Sequence, residues 1–422
     1  MKELAINGAK PTIKNPFNPD ITIGEDERIA VNEVMKSGSL SAFYGNWGEN
    51  FLGGEQVKKF ERLWSQKFNV KHSISVNSNT SGLYSAMAAI GIEPGDEVIV
   101  PPYTMSATVM APLIYGGIPV FADVNPETYC LDLENVKKVM TPKTKAIIAV
   151  NLFGHPADLE NLSNLAKERG LYLIEDNAQG PLASIKKKYA GTFGDIGVFS
   201  LNYHKHIHCG EGGVCVTDDS ELALRMQAVR NHAENIYEPA GIKNLSNMVG
   251  HNYRLTEMCA AIGIEQLKKI EIQVSRRQKL AESLSSGISD LEGLTPPKVT
   301  KNYRHVYYVW GFKFDEEILG LPRSKFCEAL LAEGFPNFEG YTKPLYFLPQ
   351  FQNRIAIGEN GWPFNLTNRE YKKGLCPITE KLYEKEMICF ETCAFDMSDN
   401  DIEKAIEAIR KVHKYRHEIN LK

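Results

Sequence analysis

KAIIAVNLFGHPADLENLSNLAKERGLYLIED, residues 145–176, decides the fold. It opens on an apolar run, residues 145–150, with no polar alternation, so a strand there is buried on both faces. Residues 158–169 then repeat apolar side chains at helical spacing, and 171–174 return to a short β-rich run. Strand, helix, strand is the unit of a parallel sheet, because parallel neighbours need a crossover that carries the chain back to its starting edge.

The same alternation extends outward. Further strand-like runs fall at 72–76, 97–100, 118–124, 196–200 and 214–217, with a helical pattern at 81–90. The expected fold class is α/β: a large domain whose mainly parallel sheet is flanked by helices. One link departs from the pattern, since the stretch from Phe199 to Val214 is too short for a crossover. Beyond Arg254 a long helix is expected over roughly 256–285, then a linker with prolines and a glycine at 290–302. A strand at 306–314, a helix at 324–333 and a closing amphipathic helix at 401–417 make a smaller C-terminal α+β domain. The expected division is an N-terminal segment and loop (1–54) contributing to the site or a dimer, a large domain (55–285) and a small domain (286–422). Residues 37–54, SGSLSAFYGNWGENFLGG, fit no periodic element and read as a site wall, a subunit contact or a plain surface loop.

Composition narrows the class. The chain has 422 residues, 43% hydrophobic and 24% charged, the mix of a globular protein. A net charge of −4 without a long basic run offers no electrostatic footprint for nucleic acid or an anionic membrane. No apolar stretch is long enough to cross a bilayer, and MKELAINGAKP has no secretory apolar region. The eight cysteines are scattered, unlike a disulfide scaffold or a zinc site. A cytoplasmic enzyme with reduced thiols is expected.

Three clusters follow strand runs, where open α/β sheets place ligands. Ser78-Asn79-Thr80-Ser81-Gly82 opens a helix, and small polar residues there offer N–H groups and hydroxyls to an anion such as a phosphate. The same pattern serves as ordinary capping by Thr80 or Ser81. Glu175-Asp176-Asn177-Ala178-Gln179 follows Leu171-Tyr172-Leu173-Ile174. A carboxylate at a buried strand end is costly unless paired, although a helix cap or a solvated loop reads the same way. The third cluster runs from Ser200 through Lys205 to the glycine-rich turn Gly210-Glu211-Gly212-Gly213. A lysine amine in a confined pocket has a lowered pKa and attacks carbonyl carbons. His204, His206 and His208 alternate, but lack an acidic or cysteine partner at metal-site spacing.

Together the clusters resemble the DegT–StrS family of sugar aminotransferases, pyridoxal-phosphate (PLP) enzymes of the aspartate aminotransferase fold (fold type I). The resemblance rests on VNSNTSGL, EPGDEVIVPPYTMSAT, NLFGHPADL, IEDNAQG, FSLNYHKHIHCGEGGV and VGHNYRLTEMCAAIGIEQL, in the family's order and over nearly the whole chain. It implies that Lys205 forms the Schiff base with pyridoxal 5'-phosphate and shuttles the proton. It implies too that Asp176 pairs with the pyridine nitrogen, the charge keeping that nitrogen protonated. By the same resemblance Gln179 contacts the phenolic oxygen, and Thr80, Ser81 and Ser200 form the phosphate cup. Asn252 would reach the phosphate of a neighbouring subunit, which implies a homodimer with shared active sites. Two departures stand out. Met105 takes the place of a ring-stacking aromatic and offers a thioether instead, and Asn79 replaces a common glycine. A related branch carries histidine in place of the lysine and dehydrates its substrate. Here the fifth residue after Ser200 is Lys205, so transamination is implied.

The expected reaction moves an amino group from glutamate or glutamine to a keto-sugar, nucleotide-linked by expectation. LAINGAKP, GNWGENFLGG, GYTKPLYFLPQF and CPITE look more like members acting on keto-cyclitols of the inosose type, the alternative substrate class. A non-catalytic PLP- or sugar-binding sensor is a third reading, and a sensor does not need both Lys205 and Asp176. Polar and aromatic residues of the 37–54 loop, Tyr44, Asn46 and Trp47 among them, are expected to line the substrate cleft with Tyr341 and Tyr346.

Overall fold

The computed structural model describes residues 3–234 and 236–420. Its centre is a seven-stranded sheet. The strands are β1 (His72–Val76), β2 (Glu97–Val100), β3 (Ile118–Phe121), β4 (Thr144–Val150), β5 (Tyr172–Asp176), β6 (Ile196–Ser200) and β7 (Gly213–Thr217). Their spatial order is β1-β7-β6-β5-β4-β2-β3. Adjacent strands from β6 through β5, β4 and β2 to β3 run parallel. β7 is antiparallel to both its neighbours, so the short Phe199–Val214 link is a return within the sheet, not a crossover.

β4 shows why this sheet needs covering on both sides. Ala146 and Ile148 enter one apolar core with Ile74, Leu83 and Ile174. Ile147 and Ala149 enter the other with Trp64, Phe68 and Phe199. Successive side chains point to opposite faces, so an unbroken apolar run fills both cores. Phe199 lies 4.8 Å from Phe68 and 5.3 Å from Trp64, ring to ring. A buried aromatic of this kind contributes about 3–5 kcal/mol relative to alanine. β3 stops at Phe121, short of the expected 124, and Val124 instead forms an isolated bridge with Leu131 across the turn at 125–130.

α1 (Asn79–Ala89) follows β1, α2 (Ala107–Ile114) follows β2, and α3 (Leu159–Arg169) joins β4 to β5. α1 lies so close to the sheet that a Cβ on Gly82 would come within 2.6 Å of Val198. The long helix, α4 (Glu257–Ile288), starts at the cap Thr256, whose side chain accepts from the Cys259 N–H. Its first half packs Ala260, Ile264 and Leu267 into the large core. Its last turns put Leu280, Leu284 and Ile288 into a third core with Trp310, Phe312 and Phe390. Leu4, Ile13 and Phe17 pack into that same third core, so the N-terminal stretch lies against the C-terminal elements.

Those elements are an antiparallel sheet of β8 (Leu294–Thr295), β9 (Trp310–Phe314), β10 (Phe338–Glu339) and β11 (Met387–Phe390), in the order β8-β9-β11-β10. α5 (Arg323–Ala332) and α6 (Asp399–Lys414) accompany it. The expected linker at 290–302 thus contains the short edge strand β8, which hydrogen bonding to β9 selects over its turn-rich composition. Among the described residues no helix is long and apolar enough to cross a membrane.

Candidate active site

β1, β2, β4, β5 and β6 point the same way, so the loops leaving their C-terminal ends meet along one edge of the sheet. Register aligns them closely. Gly213 pairs with both Val76 and Ser200, while Asp176 pairs with Val150 and Val198. The β1–α1 loop can then come down onto β7 only because Gly213 has no side chain: a Cβ there would sit 2.7 Å from the Ser78 carbonyl.

One cavity of about 190 Å³ opens at this edge, lined among others by Thr80, Met105, Asp176, Gln179, Ser200 and Lys205. Six of the eight expected site residues therefore meet in one place. Ser81 and Asn252 do not line it. Ser81 lies just behind, 4% exposed, its hydroxyl donating to Asn77 Oδ1 at 2.5 Å. Asn252 is exposed on the segment beside Asn77, and its Oδ1 accepts from Arg254 Nε at 2.8 Å.

The start of α1 is built for an anion. The cap is Ser78 rather than Thr80 or Ser81: its Oγ accepts from the Ser81 N–H at 3.0 Å. The next amides, of Asn79 and Thr80, have no partner among the described residues. The Asn79 side chain lies close enough to Asp176 to favour its carboxylate form. A phosphate at this helix N-terminus would accept from both amides.

β5 sorts its two acids by strand alternation. Glu175 points away from the cavity and takes three backbone N–H bonds, from Gly191, Phe193 and Gly194 at 2.5–2.8 Å, fastening the turn before β6. Asp176 faces the cavity and is 5% exposed. Its Oδ2 accepts from the Thr108 hydroxyl at 2.7 Å and its Oδ1 from the Ala178 N–H at 3.3 Å. Burial nevertheless raises its pKa above the ordinary carboxylate value, partly offset by Thr108, Ala178 and Lys205. A buried acid in that state is stabilised as a carboxylate by a cationic N–H placed opposite it.

Lys205 sits in the return loop between β6 and β7, where its N–H donates to the Asn202 carbonyl at 2.9 Å. Its Nζ lies 4.1 Å above the centre of the Tyr308 ring. Burial lowers its pKa to about 8, with Cys393 and Asp176 pulling the other way. The amine thus gives up its proton more readily than a surface lysine, which a nucleophile requires. His204, on the same wall, has its pKa brought down to about 4 by burial and by Lys205. Gln179 is held at both ends of its amide: Nε2 donates to the Tyr341 hydroxyl at 2.8 Å, and Oε1 accepts from the Phe153 N–H at 2.7 Å. Met105 stands 55% exposed at the cavity wall, its sulfur 3.1 Å from the Ala107 nitrogen.

Sequence reasoning missed Thr108 and Tyr308. Thr108 is an ordinary residue of an apolar helix until that helix crosses Asp176. Tyr308 comes from far along the chain, fixed by its N–H bond to the Phe153 carbonyl at 2.7 Å. Of the expected substrate wall, Tyr346 lies elsewhere. The 37–54 loop lines no part of the Lys205 cavity in its own chain; Ser39 and Asn50 line a separate cavity with Lys58, Lys59 and Arg62. Tyr341 reaches the site through Gln179, whereas Tyr346 is fully buried and hydrogen-bonded to Glu380.

The residues present fit PLP. The α1 start would hold the phosphate, Asp176 the ring nitrogen, Gln179 the phenolic oxygen and Met105 a ring face, with Lys205 as the amine. Comparison with known proteins agrees. GDP-perosamine synthase of Escherichia coli O157:H7 is 35% identical over 348 residues, covering 82% of this chain and 90% of that protein. L-glutamine:2-deoxy-scyllo-inosose aminotransferase of Streptoalloteichus tenebrarius is 30% identical, covering 99% of each chain. The solved structure of an aminotransferase from Psychrobacter cryohalolentis superposes with a TM-score of 0.83 at 27% identity, covering 95% of this chain and all of that one. The DegT/DnrJ/EryC1/StrS aminotransferase family matches residues 22–410, and the chain belongs to that family.

Proposed function

We propose that this PLP-dependent aminotransferase carries an amino group from glutamate or glutamine to the ketone carbon of a nucleotide-linked keto-sugar, through a Schiff base on Lys205. The observation that carries the reading is Lys205 and Asp176 lining one cavity beside a helix start whose Asn79 and Thr80 amides have no partner among the described residues. When bound, PLP supplies an electrophilic carbon and an electron-withdrawing ring. The chain supplies the rest: Asp176 holds a proton on the ring nitrogen, and Lys205, its pKa brought to about 8, accepts and returns a substrate proton. A sensor that merely binds would not need both the buried carboxylate and the depressed amine.

A keto-cyclitol is the second reading. It is favoured by the inosose aminotransferase matching 99% of the chain, against 82% for the perosamine synthase. The test loads the enzyme with amino groups from the donor, removes the donor, and adds candidate acceptors. Keto-sugar nucleotides or inososes are expected to discharge it, and pyruvate or oxaloacetate to do so at least about a hundredfold more slowly, since among the described residues no arginine lines the cavity to pair with a keto-acid carboxylate. Fast discharge by keto acids alone would make it an amino-acid aminotransferase.

The working unit in this reading is a cytoplasmic homodimer with shared active sites, divided as 1–54, 55–285 and 286–422. Supporting it, Asn252 is exposed outside its own chain's cavity, and the eight cysteines are free thiols. Mixing Lys205→Ala chains with Asn252→Ala chains is expected to restore part of the activity, because one hybrid site then carries neither lesion. Confirmed hybrids no more active than their parents would place Asn252 in its own chain's site or outside any site.

A further inference from the structure

Behind the lysine-bearing loop runs a buried polar chain that the chemistry above does not use. His206, next after Lys205, is fully buried. Arg277 on α4 donates through Nη1 to the His206 carbonyl at 2.9 Å and stands 3.2 Å from the ring Nδ1. Its Nη2 donates to Asp20 Oδ2 at 2.6 Å, with 4% and 6% of the two side chains exposed. Asp20 is itself fixed, its N–H donating to the Ala394 carbonyl at 3.0 Å.

A guanidinium has only donors, so Nδ1 accepts and the ring proton sits on Nε2. Burial, then Arg277 and Lys205, hold the imidazole well below its ordinary pKa, so it is neutral. Arg304 adds to that effect, the Gln179 carbonyl opposes it, and Cys393 Sγ lies 3.8 Å from Nδ1. Residue 206 is thereby held at backbone and ring by one guanidinium nitrogen, whose other arm is anchored on Asp20.

We propose that the Asp20–Arg277–His206 chain is a positioning brace for Lys205. It fixes the backbone on the C-terminal side of the lysine and so keeps the amine over Tyr308 and facing Asp176. The inference rests on the reading of Lys205 as the cofactor lysine. Two arguments favour positioning over stability. A buried ion pair is often no more stabilising than apolar residues of the same volume. A displacement of about 1 Å at a reacting group, by contrast, costs about a hundredfold in rate. The brace also joins the N-terminal segment and the long helix to the catalytic loop, three parts of the chain far apart in sequence.

The test compares holoenzymes of His206→Leu, His206→Asn and the double variant Asp20→Leu/Arg277→Met, which removes both buried charges together. The readouts are the pH titration of the lysine-bound cofactor's visible absorbance, the rate of the half-reaction with glutamate, and the melting temperature. His206→Leu is expected to move the titration midpoint by about half a pH unit or more and to slow the half-reaction about tenfold, with a near-native melting temperature. His206→Asn, whose amide oxygen can accept from Arg277 near the Nδ1 position, is expected to recover most of both. The double variant is expected to fold and to show the larger shift. An unchanged midpoint and rate in His206→Leu and the double variant would overturn the brace, as would His206→Asn faring no better than His206→Leu. Failure of both His206→Leu and the double variant to fold would also overturn it, since the chain would then serve the fold. Absence of a lysine-bound chromophore in the unaltered enzyme would instead refute the reading of Lys205.

Discussion

Replacement of Lys205 by alanine is expected to lower amino transfer by about four orders of magnitude, because one amine serves as nucleophile and as proton carrier. Among the described residues Lys205 is the one lysine lining the cavity, so no neighbour can substitute for it. The loss should be chemical rather than structural. The loop is held by the Lys205 N–H bond to Asn202, the Leu201–Gly212 pair and Arg277, none of which uses the lysine side chain. The variant should therefore melt near the parent temperature and still take up cofactor non-covalently at the α1 start. Steady-state transfer from glutamate measures the effect, and activity within tenfold of the parent would place the working amine elsewhere.

Asp176→Asn is the second large effect. The amide keeps the shape and can still accept from the Thr108 hydroxyl, but it loses the charge that holds a proton on the ring nitrogen. Removing one preorganised electrostatic partner from a dry site costs about a hundredfold to a thousandfold in rate. The buried site makes the upper end of that range the expectation, since Asp176 is 5% exposed. Stopped-flow mixing of the PLP-bound variant with glutamate gives the rate of the proton-abstraction step directly. Near-normal rates with cofactor bound would show that another group pairs with the nitrogen.

How much of this was legible in the sequence depended on how local the signal was. The strands showed as apolar runs because each is short, buried on both faces and bounded by turns. The three site loops showed because each lies at a strand's end and carries its chemistry within a few residues of chain. The spatial order of the strands was not legible, since nothing in a strand's own composition says which neighbour it will pair with. Capping was misplaced by a few residues: Thr80 and Ser81 are both good caps by type, and only backbone geometry selects Ser78.

Tyr346 was placed at the site by composition, which reports what a side chain can do and not where it points. Tyr346 is instead buried, its ring 5.4 Å from that of Phe121. Thr108, Tyr308 and Arg277 went unseen because each belongs to an element whose own pattern it fits. Their roles appear only where that element crosses another. Asp20 and Arg277 are 257 positions apart, and no window along the chain contains both.

The central claim is that Lys205 is the residue that carries the cofactor. Borohydride reduction of the PLP-loaded enzyme, followed by proteolysis and peptide mapping, tests it most directly. A single modified peptide with the label on Lys205 is expected, absent after prior conversion with glutamate. A label on Lys186, Lys187 or Lys188, or no label on an enzyme that binds PLP and transfers amino groups, would contradict it.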